Sequence, residues 1–141
     1  MRSRNRTARL AASLHRHLQP VSLSGLTARE ATTMLTYQTA EWARKHWWTV
    51  TFEAPARVSR PTRRGPYRGR LDLLCTSWFR RPIAIEIDRA NKMWSLDKLQ
   101  AEADAGASTL WVRWAGDQMI EVPAGIGLVD IRHSAGWKSA P

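Results

Sequence analysis

Apolar residues recur along this 141-residue chain with two different spacings, which together outline its elements. From Ala28 to about Trp47, apolar positions three and four residues apart predict a helix. Thr27 and Glu30, at its start, have the spacing of a capping box. After this helix, the Thr, Val and Phe content of Trp48–Ala56 predicts a strand.

The middle of the chain contains two short apolar stretches, Arg70–Leu74 and Ile83–Asp88, and each predicts a strand. Asn91 to about Ala105 then predicts a helix capped by Asn91 or Ser95, and Ser108–Trp114 predicts a strand. Because a helix separates that strand from the one before it, the two are expected to run parallel. The predicted fold is therefore α/β, in the order helix, three strands, helix, strand, with a mixed central sheet flanked by helices. Gln118–Val122 and Ile126–Ile131 are expected to be short strands or edge additions.

The chain divides into three parts by composition. Residues 1–24 carry five arginines and no acid, and only Thr7–Leu18 has helical spacing of leucines, so this part is expected to be a flexible basic arm. The arm could become ordered on a polyanion or be a plain disordered tail, and the sequence leaves both open. Residues 25–133 form the predicted domain, and residues 134–141 form a tail without pattern.

Three carboxylates interrupt the apolar strands. Asp72 lies on the second strand, and Glu86 and Asp88 lie on the third. Strand side chains alternate between faces, so Glu86 and Asp88 project the same way, and a hairpin through Thr76–Pro82 would place Asp72 near Glu86. Buried acids need a compensating charge, and Mg²⁺ or Mn²⁺ prefers carboxylate oxygens. The sequence therefore predicts a metal site at Asp72, Glu86 and Asp88.

Other residues could assist such a site. Asp88 could bind a second ion or deprotonate an attacking water, and Lys92 could stabilise the charge of the reacting phosphate. Glu41, in the second half of the first predicted helix, could reach the metal through a water.

The charge of the chain indicates a polyanionic partner. The formal net charge is +10 and the pI is about 11.2, so nucleic acid is the first candidate. Residues 57–70 are rich in Arg, Gly and Pro and predict a long cationic loop, since Arg suits phosphate. Trp94 could stack on an exposed base or pack against its own helix. The predicted nucleic-acid contacts are Arg57, Arg60, Arg63, Arg64, Arg68, Arg70, Arg89 and Trp94.

Several classes of protein are excluded or disfavoured. A single cysteine, Cys75, excludes an internal disulfide and fits a reducing compartment. No apolar run is long enough to span a membrane, and the Arg-rich N-terminus is not followed by an apolar signal core. A cytoplasmic location is therefore expected.

The element order and the pattern Asp72 … Glu86-Ile-Asp88 resemble the PD-(D/E)xK nuclease superfamily over roughly Thr27–Trp114. Within it, the chain is most similar to the very-short-patch-repair-like group, in which Glu-x-Asp-Gly-x-x-His leads into a helix. The resemblance implies a restriction-endonuclease-like core and a Mg²⁺-dependent endodeoxyribonuclease. It makes Asp72 the metal-bridging acid and Glu86 the second ligand, and it places Asp88 at the third motif position.

The chain departs from this pattern at three positions. Arg89 replaces the Gly, Lys92 replaces the His, and Asp88 stands where the wider superfamily usually has Lys. Some members carry that Lys on the adjoining helix, where Lys92 or Lys98 could serve.

The predicted function is metal-dependent hydrolysis of phosphodiester bonds in DNA. The first alternative is a non-catalytic nucleic-acid-binding or regulatory protein on the same fold. A second is a basic protein that docks on an acidic protein partner. The sequence leaves open DNA versus RNA, and a nicking monomer versus a homodimer that cuts both strands.

Overall fold

The computed structural model describes residues 2–118 and 120–133, over which the chain is α/β with three helices and a five-stranded mixed sheet. The helices are α1 (Arg2–Leu18), α2 (Ala28–Lys45) and α3 (Met93–Asp104). The strands are β1 (Thr49–Thr62), β2 (Gly65–Thr76), β3 (Ile83–Asp88), β4 (Ser108–Arg113) and β5 (Ile126–Asp130). The predicted α/β class is confirmed, and the predicted tail over 134–141 lies outside the described residues.

The strands are arranged in the sheet in chain order, from β1 to β5. β1, β2 and β3 form an antiparallel meander, whereas β4 is parallel to β3 and β5 is parallel to β4. The predicted parallel pairing of β4 is thus confirmed, with α3 as the crossover. The strand expected over Gln118–Val122 is absent at residues 118 and 120–122, because β5 already pairs with the outer edge of β4.

Helices cover both faces of the sheet. Ile83, Ile85 and Ile87 of β3 point to the face covered by α1 and α2. Ala84 points to the opposite face, where it packs with Leu96 and Leu99 of α3. Since side chains alternate along a strand, Glu86 and Asp88 share the α3 face with Ala84.

Helix α2 begins at the predicted capping box. Glu30 N donates to Thr27 Oγ1 at 3.1 Å, and Thr27 N donates to Glu30 Oε1 at 2.9 Å. The cap predicted for α3 is wrong, because Lys92 occupies the N-cap position without a side-chain hydrogen bond. None of the described helices has the length and apolarity needed to cross a membrane.

The N-terminal segment differs from the expected flexible arm. It forms α1, and its Leu14 and Leu18 are fully buried in the core shared with α2 and β5. Gly127 of β5 permits this docking, because a Cβ there would lie 2.9 Å from Thr7 Cγ2 and 3.2 Å from Ala11 Cβ. Arg4, Arg6, Arg9 and Arg16 therefore belong to a helix that packs on the core.

The long loop predicted over residues 57–70 is also wrong. These residues belong to β1 and β2, which pair from Thr49↔Thr76 to Thr62↔Gly65, with an irregularity between Pro55 and Ser59. The turn contains only Arg63 and Arg64. Backbone pairing overrides the weak strand propensity of this Gly- and Pro-rich stretch, and Pro61 and Pro66 lie opposite each other next to the turn.

Candidate active site and nucleic-acid surface

Asp72 and Glu86, here called the acid pair, interlock two neighbouring strands. Backbone pairing of β2 with β3 runs from Cys75↔Ile83 to Leu73↔Ile85. Beyond Leu73↔Ile85, carboxylate oxygens accept the hydrogen bonds between the two strands. Asp72 N donates to Glu86 Oε2 at 2.9 Å, and Ile87 N donates to Asp72 Oδ2 at 2.8 Å. The antiparallel hairpin and the closeness of Asp72 to Glu86 are therefore as predicted.

Lys98 of α3 completes this cluster. Its ammonium group forms an ion pair with Glu86 Oε1 and donates to Arg70 O at 2.7 Å. Both side chains of the pair are almost entirely buried, with 8% and 1% of the Lys98 and Glu86 side chains exposed. The cluster thus joins β2, β3 and α3 through one buried charge pair.

The buried face of α3 contains a polar stripe of Ser95, Lys98 and Glu102. Sequence reasoning named Lys98 only as an alternative to Lys92 and did not identify Ser95 or Glu102 as site-supporting residues. The available signal was their spacing of three and four residues, which places them on one helix face. The leucines on either side of Lys98, at 96 and 99, indicate that this face packs on the sheet.

Asp88 is held separately from the acid pair. Trp111 Nε1 of β4 donates to Asp88 Oδ2 at 2.8 Å, and Asp88 also forms a hydrogen bond with the Ser95 side chain. Burial raises the pKa of Asp88, while the hydrogen bonds with Ser95 and Trp111 oppose that rise. Asp88 is thus a buried carboxylate whose partners fix its orientation.

Burial dominates the electrostatics of Glu86. The Glu86 pKa is raised from 4.5 to about 8, mainly by burial and then by the neighbouring Asp72, while Lys98 opposes the rise. A second cation at the acid pair would favour the ionised form.

The carboxylates near Lys98 meet part of what a divalent cation needs. Among the described residues, no group of three or more His, Cys, Asp or Glu side chains is arranged to hold a metal ion. The acid pair nevertheless supplies carboxylate oxygens, the donors that Mg²⁺ prefers, and the cation already at Glu86 Oε1 is the Lys98 ammonium group. The residues therefore fit an ion held by two carboxylates, with its other ligands from water or phosphate.

The two remaining predicted site residues lie apart from the acid pair. Lys92 is exposed at the start of α3, where its charge acts on Asp88. Glu41 lies on α2, which packs on the opposite face of the sheet, and its carboxylate pairs with Lys45 at 3.5 Å. The structure therefore does not bring Glu41 to the acids.

All the predicted basic contacts except Arg89 lie on the antiparallel hairpin of β1 and β2, here called the arginine ribbon (residues 57–70). Arg63 and Arg64 are exposed at its turn, and Arg70 is exposed two residues before Asp72. Other members are partly engaged: Arg57 pairs with Glu102 at 3.5 Å, and Arg68 Nε donates to a backbone carbonyl. The ribbon thus leads directly along β2 to the acid pair.

Trp94, in the first turn of α3, faces the arginine ribbon. The Arg60 guanidinium is 5.0 Å from the centre of the indole, and Lys98 Nζ is 5.9 Å from it. A Cβ on Gly69 would lie 2.9 Å from Trp94 Cζ2, so the missing side chain lets β2 approach the helix. Trp94 therefore packs on the ribbon, and Arg89, at the end of β3, is exposed.

Comparison of the chain with protein-family models, curated proteins and solved structures finds no match.

Proposed function

We propose that this protein is a metal-dependent nuclease that hydrolyses phosphodiester bonds in DNA, on a restriction-endonuclease-like core. The observation that carries the proposal is the contact of the acid pair with buried Lys98. Two carboxylates and one ammonium from β2, β3 and α3 match the chemical needs of phosphoryl transfer. The element order of α2 to β4 supports the same core.

Each residue of the cluster would have its own role in the hydrolysis. Asp72 and Glu86 would hold Mg²⁺ or Mn²⁺. The ion would polarise a phosphate oxygen and make a bound water more acidic. Lys98 would take the role of the lysine absent from position 88, by donating to a phosphate oxygen or holding the attacking water. Asp88 would orient that water, and exposed Lys92 would attract the phosphate to the mouth of the site.

The arginine ribbon supports DNA as the substrate. A two-stranded β-ribbon fits the major groove of a duplex, and arginines bind phosphate through paired hydrogen bonds. Since the ribbon continues into the strand of Asp72, a duplex bound along it would pass the acid pair.

The proposal is tested by cleavage of supercoiled plasmid with Mg²⁺ or Mn²⁺, with EDTA as the metal-free control. Asp72→Asn and Glu86→Gln should each lower the cleavage rate by at least about a hundredfold, since each removes a proposed metal ligand. DNA binding should be kept or become tighter, because a negative charge near phosphate is lost. Glu121→Gln, an exposed acid outside the site, is the matched control and should cleave normally.

Nicked product would indicate a monomer that cuts one strand, and linear product would indicate paired cuts by a homodimer. Metal-dependent cleavage that persists in both acid variants would refute the proposed site.

One observation favours the alternative of a non-catalytic DNA-binding protein on the same core. Glu86 already has a cationic partner in Lys98, and Asp88 has donors in Trp111 and Ser95, so the cluster holds together without a metal. The two functions differ in their response to Mg²⁺ and Mn²⁺. A real metal site raises the melting temperature by mass action, and Glu86→Gln should abolish that rise.

A further inference from the structure

A small basic cavity lies at the other end of β3 from the acids. It has a volume of about 140 Å³ and is lined by Arg4 and Arg6 of α1, Arg81 before β3, and residues 106–108 before and at the start of β4. β3 has six residues, so its two ends are about 16 Å apart. This arginine cavity is therefore separate from the acid pair.

The cavity concentrates positive charge without a compensating acid. Its lining residues include no Asp or Glu, and among the described residues Arg4, Arg6 and Arg81 form no ion pair. The side chains outside the described ranges, at Met1, Met119 and 134–141, include no acid either. Within the described part of the chain, the three guanidinium groups thus have no carboxylate partner.

A hydrogen bond between two segments of the fold keeps Arg6 next to Arg81. Arg6 Nη2 donates to Arg81 O at 2.9 Å, which fixes α1 against the connection between β2 and β3. The pKa of Arg6 is lowered by partial burial and then by the charges of Arg81 and Arg80. An anion in the cavity would relieve this repulsion.

The remaining lining favours recognition by side chains. The backbone N–H groups of Gly106, Ala107 and Ser108 already donate to carbonyl oxygens at 2.9 to 3.0 Å. Apart from Arg6 Nη2, the donors that remain are therefore the guanidinium N–H groups and hydroxyl groups such as that of Ser108. This is the donor set that binds a tetrahedral oxyanion.

We propose that the arginine cavity binds a phosphate group, held by the guanidinium groups of Arg4, Arg6 and Arg81. The phosphate is either inorganic phosphate or the terminal phosphate of a nucleic acid. The site does not depend on the nuclease proposal, because it lies away from the acid pair and its binding is measured without cleavage.

The first test is calorimetric titration of the full chain with inorganic phosphate, at an ionic strength held constant with sodium chloride. Arg6→Gln/Arg81→Gln should weaken phosphate binding by at least about tenfold, since two charged donors are lost. The control is Arg16→Gln/Arg29→Gln, which removes the same charge from exposed positions outside the cavity and should change the affinity by less than about twofold.

The second test identifies the source of the phosphate with an oligonucleotide carrying or lacking a 5′-phosphate. Tighter binding of the phosphorylated form, lost in Arg6→Gln/Arg81→Gln, would assign a nucleic-acid terminus. Saturable binding of inorganic phosphate alone, lost in the same variant, would assign the free ion.

The proposal is overturned if neither probe binds the wild type saturably, or if both double variants weaken binding equally. Should Arg6→Gln/Arg81→Gln fail to fold by circular dichroism, exposed Arg4→Gln replaces it. An unchanged phosphate affinity in Arg4→Gln would then also overturn the proposal.

Discussion

The carboxylate of Glu86 shows how one buried group depends on contacts from other elements. Asp72 N donates to one of its oxygens, and Lys98 forms an ion pair with the other. Removing one partner of such a pair leaves an uncompensated buried charge, which typically costs about 3–5 kcal/mol. We therefore expect the cluster to be a sensitive site for stability as well as for chemistry.

The raised pKa of Glu86 predicts a specific dependence of stability on pH. The folded value of about 8 lies above the ordinary value of 4.5, so the folded state binds this proton more tightly than the unfolded state. The resulting stabilisation is complete below pH 4.5 and is lost as the pH rises through 8, by at most about 1.4 kcal/mol per pH unit.

Glu86→Gln should remove this contribution. Its free energy of unfolding, from urea titrations between pH 5 and 9, should fall less steeply with pH than that of the wild type. Glu121→Gln removes the same charge from an exposed position and should keep the wild-type slope. Parallel pH profiles for wild type and Glu86→Gln would contradict the raised pKa.

At the scale of elements, α3 and α1 attach to the sheet in different ways. α3 presents a polar stripe, in which Glu102 Oε2 accepts a hydrogen bond from Arg57 N at 2.8 Å and Lys98 pairs with Glu86. α1 instead packs apolar residues, with Leu14 and Leu18 fully buried. Close approach of α1 to the sheet requires Gly127.

Gly127→Ala should therefore loosen α1. The added Cβ would lie 2.9 Å from Thr7 Cγ2 and from Leu110 Cδ2, and such overpacking typically costs about 1–3 kcal/mol. Gly125→Ala is the matched control, because its Cβ would lie 3.9 Å from the nearest atom, Ala103 Cβ. Urea denaturation should show a lower free energy of unfolding for Gly127→Ala alone, and equal stability of the two variants would contradict the packing of α1.

At the scale of the whole molecule, positive charge lies in at least two separate places. The exposed turn of the arginine ribbon lies on the hairpin that leads to the acid pair, and the arginine cavity lies at the opposite end of β3. A net charge of +10 would give weak general attraction to DNA, whereas localised arginines would make specific contacts with phosphates.

Salt dependence distinguishes these two modes of binding. Each phosphate contact lowers the slope of log affinity against log salt by about 0.9, so Arg63→Gln/Arg64→Gln should make the slope shallower by about 2. Fluorescence anisotropy with a labelled duplex measures it. Arg16→Gln/Arg29→Gln has the same net charge and should change the slope by less than half as much, and equal changes would indicate unspecific attraction.

The sequence alone predicted the features that depend on local spacing. Period-two alternation in Ile83–Asp88 identified β3, and helical spacing after Ala28 identified α2. Both patterns are visible in the sequence because the side-chain direction repeats within a few residues in each element. The short connection between β2 and β3 was enough to predict that Asp72 and Glu86 lie together. The assignment of the nuclease function itself stays a prediction.

Features that depend on contacts between distant residues are visible only in the folded chain. Whether Lys98 or Lys92 approaches Glu86 depends on how α3 is rotated on the sheet, and the local spacing suits both. The sequence predicted a loop over residues 57–70 because their strand structure depends on pairing with the facing strand and not on their own propensity. Likewise, α1 is a packed helix because Gly127, more than a hundred residues away, leaves room for it.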